Sequence, residues 1–272
     1  MVRNDSRLGT IADTLSEWGQ AALGWVMGWA RIIHFGALIL VLVLSPSSYS
    51  RENRFQLARH LYLNTAPILF GFTILCALIS SMLTRIVLVT SLSYGLSQYA
   101  LQLVIRVLVL ELIPITAVLF VALRCTIPDG ADLARMRRRG ELEAMRLQGI
   151  DPVSREVLPR VAAGVFSSIT LAALSSVVAL LTAYIALYGF TTTGFTVYTR
   201  LFGQVFSPVV TLIFLLKTFF FSLAAALIPM ASGVYDIITG ATSRTRAEMR
   251  GLVRMFAVML LIEGVSLVGN YY

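Results

Sequence analysis

Apolar residues occupy this chain in runs of about twenty or more, separated by short segments rich in arginine. Four runs, at about 62–84, 101–123, 161–190 and 205–232, carry almost no charge, and a fifth, at about 252–270, carries one acid, Glu263. About 20 apolar residues cover the hydrocarbon core of a bilayer when helical. The pattern predicts an all-α polytopic membrane protein with five transmembrane helices.

The first fifty residues fit less simply. The stretch "WGQAALGWVMGWARIIHFGALILVLVLSP" (18–46) is long enough to span, but Arg31 and His34 sit near its middle and Trp18, Trp25 and Trp29 crowd one end. Tryptophan favours the headgroup level, and a charge at mid-bilayer is costly. The expectation is a bent N-terminal helix lying in the cytoplasmic interface rather than a sixth span.

Composition agrees with a membrane chain: 57% of the 272 residues are hydrophobic and 13% charged, against about 25% charged in soluble domains. The placement of the basic residues adds orientation. Arg51, Arg54 and Arg59 precede the first run, seven arginines lie between Arg135 and Arg160, and Arg244, Arg246, Arg250 and Arg254 precede the last. The alternate connections, loops at about 86–100 and 191–204, hold only Arg200. By the positive-inside rule the arginine-rich segments and the N-terminus are cytoplasmic. Cys76 and Cys125 fall in or beside spans, so no structural disulfide is expected. His34 and His60 lack ligand spacing, so neither a metal nor a cofactor is expected. No nucleic-acid partner is expected either.

Between the second and third runs the pattern changes. Residues 130–149, "GADLARMRRRGELEAMRLQG", contain no proline, and Asp151-Pro152 predicts a helix stop just after Gly149. Leu133, Met136, Gly140, Ala144 and Leu147 recur at three- and four-residue steps as an apolar stripe. Arg137 with Glu141 and Arg139 with Glu143 are i,i+4 pairs on the polar side. Such a helix can seat its stripe in a groove of a soluble partner, or it can be a solvated loop helix touching lipid headgroups.

The stretch "ELEAMRLQGIDPVSREVLPR" (141–160) resembles the signature of the MlaE/YrbE permeases, the membrane subunits of MCE-type ABC lipid transporters. Glu143, Ala144, Gly149, Ile150, Asp151, Pro152, Pro159 and Arg160 keep that pattern at its spacing. Upstream, "LELIPITAVLFVALR" is similar to another family segment through Glu111, Leu112, Pro114, Ala122 and Arg124, and Tyr62 matches a tyrosine that opens the family's first span. Downstream, "TRAEMR" resembles a further element through Arg246, Ala247 and Arg250.

The resemblance implies an interfacial helix within residues 1–55, then a permease domain over 56–272 with five spans and a cytoplasmic coupling helix between the second and third. It implies that Met136, Gly140, Glu143, Ala144, Leu147, Gly149, Asp151 and Pro152 belong to the segment that docks into an ABC-type ATPase subunit. Leu83, Tyr94 and Leu112 fall on positions that line a lipid cavity between the two permeases of a dimer. Glu111, Lys217 and Glu263 align with a buried polar cluster near it, where Lys217 would pair with Glu111 or Glu263, either as a static pair or as a switch. Further implied partners are an MCE-domain lipid-binding protein, a second copy or paralogous permease, and a phospholipid, in the bacterial inner membrane.

Other classes fare worse. A phosphate-binding loop needs G-x-x-x-x-G-K-[ST], and the only lysine lies in "LLKTFFF", so ATP hydrolysis is expected of a partner and the chain is not expected to be an enzyme. "PDGADLAR" is superficially like a phosphatidyltransferase motif, but Thr126 stands where its first aspartate belongs, and three residues rather than two separate Gly130 from Ala134. A secondary transporter would show inverted repeats or broken helices, and neither is visible. A non-transporting assembly partner of the same complex stays open, because Gly140 replaces a family glutamate, Arg135 a small residue and Leu110 an arginine.

Overall fold

The structure, a computed structural model, describes the backbone of residues 5–45, 51–95, 102–235 and 241–271, and the side chains of 25–45, 54–95, 102–235 and 249–270. Its regular elements are all helices: α1 (Asp5–Leu44), α2 (Arg51–Ser93), α3 (Gln102–Arg138), α4 (Glu141–Leu147), α5 (Val153–Tyr188), α6 (Phe195–Val205), α7 (Pro208–Tyr235) and α8 (Ala241–Tyr271). Among the described residues six helices are long and apolar enough to cross a membrane. Five of them hold the predicted runs, and the sixth stretch is Trp25–Leu44 of α1. The chain is a multi-pass membrane protein.

Lipid solvates the outside of such a bundle, so the usual sorting of residues inverts. The packed face of α5 is made of small side chains, among them Ala163, Gly164, Ser167, Ser168, Ala172, Ser175, Ala179 and Ala183, while Phe166, Val177 and Leu181 face outward. Small residues let helix backbones approach where no water is present to drive association. α2 and α5 form the most extensive pair in the fold, tied by a hydrogen bond of 2.7 Å between the Thr65 and Ser167 hydroxyls.

Three π turns interrupt the long helices, each shortly before a proline. Ile105–Leu112, Ala122–Thr126 and Val153–Val157 each end two residues before a proline: Pro114, Pro128 and Pro159. Proline removes an N–H from the helix and its ring presses on the carbonyl four residues back. A widened turn just before it relieves that clash.

The arginine-bearing ends of the spans gather at one end of the bundle. Leu133 of α3, Val157, Leu158 and Val161 of α5, and Ala226, Met230 and Ala231 of α7 share one core cluster there with Phe35 and Ile39 of α1. Asn64 of α2 donates to Asp129 of α3 at 3.2 Å, and Arg160 of α5 pairs with Glu156 at 3.0 Å. α1 contacts residues of α5, α7 and α8. Gly28 lies against the Arg254 guanidinium of α8, Gly36 against Leu227 of α7, and Leu38 and Leu42 border a hollow with Asp151 and Val153 at the start of α5.

Three expectations change. The helix predicted over 130–149 is two: α3 continues through Arg138, and Gly140, at φ 72°, separates it from α4. A left-handed residue ends a helix, and glycine adopts it without steric cost. The apolar stripe is thereby split, with Leu133 fully buried in the bundle and Leu147 85% exposed. The break also moves the charges, so that Arg139 meets Glu141 at 3.6 Å and Glu143 meets Arg146 at 3.4 Å. Lastly, the 191–204 connection contains α6, whose Tyr198 and Val205 are buried and whose Tyr198 hydroxyl donates to the Leu180 carbonyl at 2.7 Å. Arg51, Arg244, Arg246 and Ala247 lie on helices, but their side chains fall outside the described residues.

Candidate functional site

The one lysine of the chain is buried. Lys217, midway along α7, is 2% exposed, and it meets acids from two other spans. Its Nζ donates to Glu111 Oε2 of α3 and lies 2.8 Å from Glu263 Oε2 of α8, in ion-pair contact though not at hydrogen-bond angles. It also donates to the Leu110 carbonyl at 3.2 Å, and its ammonium stands 5.7 Å from the centre of the Phe221 ring. Asn270 Nδ2 approaches Glu111 Oε1 at 3.5 Å. The alternative of Glu111 or Glu263 thus resolves as both, with two carboxylates around one ammonium. Such a cluster is costly to bury and is maintained only by mutual pairing.

Next to Glu111 in sequence, Leu112 faces the opposite way, into a trough between α2 and α3. Its walls are Phe72, Leu75, Cys76, Ile79, Ser80 and Leu83 from α2, and Leu108, Leu112, Ile113, Thr116, Leu119, Phe120 and Leu123 from α3, around about 930 Å³ of space. A smaller hollow of about 400 Å³ continues it and shares Leu83, Leu108 and Leu112. Two of the three residues aligned with a lipid cavity, Leu83 and Leu112, therefore line one apolar trough. Tyr94 lines neither hollow and stands 77% exposed at the far end of α2.

The residues aligned with an ATPase contact sit at the arginine-rich end. α4 has no buried residue. Gly149, at φ 76°, turns the chain after it, and Asp151 caps α5 by accepting from the N–H groups of Val153 at 3.2 Å and Ser154 at 3.1 Å. Pro152 is buried. Met136 lies apart from the exposed group, its sulfur 3.8 Å from the Arg160 guanidinium. No cluster of metal-ligating side chains occurs among the described residues. Sequence reasoning missed Asn270, the Asn64–Asp129 bond and Thr126. Neither Asn270 nor Asn64 carries a local signal, since each acts through a partner far away in the chain.

Buried ions at mid-span, an apolar trough between α2 and α3 and an exposed helix between spans thus lie together in a multi-pass membrane protein. A family model described as Permease MlaE matches residues 57–268, and the chain belongs to that permease family. No curated protein matches it in a direct sequence comparison.

Proposed function

We propose that this chain is the membrane-spanning subunit of an ATP-driven phospholipid transporter in the bacterial inner membrane. It works with a separate ABC-type ATPase, with an MCE-domain lipid-binding protein, and with a second copy or paralogous permease. The observation that carries this reading is the α2–α3 trough, an apolar hollow between two candidate spans beside a buried ion cluster, in a chain of the MlaE family. A second permease facing the trough would close it around a two-tailed lipid. The single lysine is committed to the ion cluster, so the chain has no phosphate-binding loop and the energy enters from a partner.

By the positive-inside rule the arginine-rich end faces the cytoplasm, which exposes α4 to a soluble ATPase. The contacts of α1 favour its interfacial placement. A helix crossing the bilayer beside α7 would meet residues at successive depths, whereas α1 touches the same end of α8, α7 and α5 in turn.

Two tests address the two ends of the mechanism. In the purified complex, Glu143→Arg and Gly149→Val are expected to lower lipid-stimulated ATPase activity or ATPase-subunit retention by about tenfold, the equivalent of about 1.4 kcal/mol at a docking contact. The first inverts a charge on exposed α4, and the second forces a β-branched residue into a left-handed turn. Unchanged activity and retention in both would remove α4 from the coupling role. In native mass spectrometry, Leu83→Asp and Leu112→Asp are each expected to lower phospholipid occupancy by about tenfold or more, since a mid-membrane aspartate costs about 2.5–3.5 kcal/mol. Full occupancy would place the lipid elsewhere, and loss of the assembled dimer together with the lipid would assign both leucines to packing.

A further inference from the structure

Besides Pro128, α3 contains Pro114 in its interior, and α7 contains Pro229. A proline has no N–H, so the carbonyl four residues earlier loses its helical donor. For Pro114 and Pro229 those carbonyls belong to Leu110 in α3 and Ala225 in α7. Each is filled from the other helix: Lys217 Nζ donates to the Leu110 carbonyl at 3.2 Å, and Thr126 Oγ1 donates to the Ala225 carbonyl at 2.7 Å. The second bond is the better placed of the two open to Thr126, whose own Ala122 carbonyl lies at 3.4 Å.

Thr126 is fully buried, and both ends of its side chain are used. Its methyl group lies where a Cβ on Gly164 of α5 would come within 2.7 Å, so three spans meet at this residue. One turn further along α3, Gly130 presses on Pro229 itself: a Cβ there would meet the Pro229 carbonyl oxygen at 2.6 Å. From Thr126 onward α3 leads through Arg138 to exposed α4. At the other end of the same stretch of α7 stands Lys217 with its two acids.

We propose that Thr126 is a positioning residue for transport, its hydroxyl tying the Ala225–Pro229 segment of α7 to the part of α3 that leads to α4, so that movement of α4 reaches Lys217. The proposal rests on the reading of α4 as the ATPase contact. It gives the reciprocal bonds a purpose: α3 and α7 move as one body because each supplies what the other's proline removed.

The test uses the complex with its ATPase subunit in phosphatidylethanolamine–phosphatidylglycerol vesicles, and reads fluorescent phosphatidylglycerol moved per ATP hydrolysed, alongside thermal stability. Thr126→Val keeps the methyl group and removes the donor, and the yield per ATP is expected to fall by about tenfold, the upper range for one hydrogen bond. Thr126→Ser keeps the donor and is expected to stay within about twofold. Combining Thr126→Val with Pro229→Ala separates tether from mere satisfaction, because the second change restores a backbone N–H within α7 for the Ala225 carbonyl. Stability is then expected to recover while the yield per ATP stays low. Should Thr126→Val alone not assemble, this double variant carries the test. A normal yield in either the single or the double variant overturns the tether. An unaltered complex that hydrolyses ATP and moves no lipid overturns the transport reading, and the proposal with it.

Discussion

Replacing Lys217 with methionine destabilises the bundle by about 3–5 kcal/mol, the usual effect of removing one partner from a buried ion pair. Methionine keeps an unbranched chain in the same space, so the loss is one of charge rather than volume. Glu111 and Glu263, 13% and 18% exposed at the side chain, are left facing each other without the ammonium that both approach. The Leu110 carbonyl loses its donor as well. Each of the two orphaned charges is repairable by a further change. Glu111→Gln together with Glu263→Gln in the Lys217→Met background removes both, and most of the stability is expected to return. The measurement is a double-mutant cycle on thermal unfolding in detergent, with strong non-additivity for Lys217 against each acid. Transport separates a static role from a switching one. A neutral triple variant that is stable and transports normally has lost only packing charges, whereas one that is stable and does not transport has lost a switch. Additive effects for both pairs would mean that neither contact exists.

Five of the six long apolar helices were legible from apolar run length alone, because a helix in lipid is apolar over most of its circumference and no periodicity is needed to find it. The long stretch after residue 18 was harder: Arg31 and His34 argue against burial in lipid, yet Trp25–Leu44 passes any test of length and hydropathy. What the chain pattern does not contain is depth, and only the contacts of α1 with three helix ends bear on that. The split of the 130–149 helix has a visible cause in Gly140, which fits the apolar stripe as a small residue and equally serves as a stop. α6 was hidden because eleven residues of mixed polarity between two long runs look like any loop.

The ion cluster was only half legible. That Glu111, Lys217 and Glu263 need partners follows from the cost of charge in a membrane, but their meeting is tertiary, across 106 residues for the first pair. Thr126 had a signal of a different kind. An internal proline in an apolar run announces one carbonyl without a donor, four residues back, in a medium with no water to supply one. Pro229 therefore asks for a buried hydroxyl or ammonium from elsewhere, and Thr126 answers from 99 residues away.

A close approach of two backbones in the bundle yields the other large effect. A Cβ on Gly233 of α7 would stand 2.2 Å from the Gly130 carbonyl oxygen and 3.0 Å from its carbon. Both are backbone atoms, so no rotamer change relieves the clash and α3 and α7 must part. Parting them breaks the Thr126–Ala225 bond and opens the core that Val118 and Ala122 share with Phe221, Ala225 and Ile228. Gly233→Ala is expected to cost about 1–3 kcal/mol, the range for overpacking a tight site, and Gly233→Leu is expected to prevent assembly. The control lies in the same membrane. Gly71 of α2 and Gly264 of α8 have nothing within 4 Å of a built Cβ, and alanine at either is expected to be neutral or to stabilise by up to about 1 kcal/mol through helix propensity. Thermal unfolding of the four alanine variants, including Gly130→Ala, orders them directly. If Gly233→Ala and Gly264→Ala unfolded at the same temperature as the unaltered protein, the backbone contact between α3 and α7 would be absent. The tether at Thr126 would then have no fulcrum to act through.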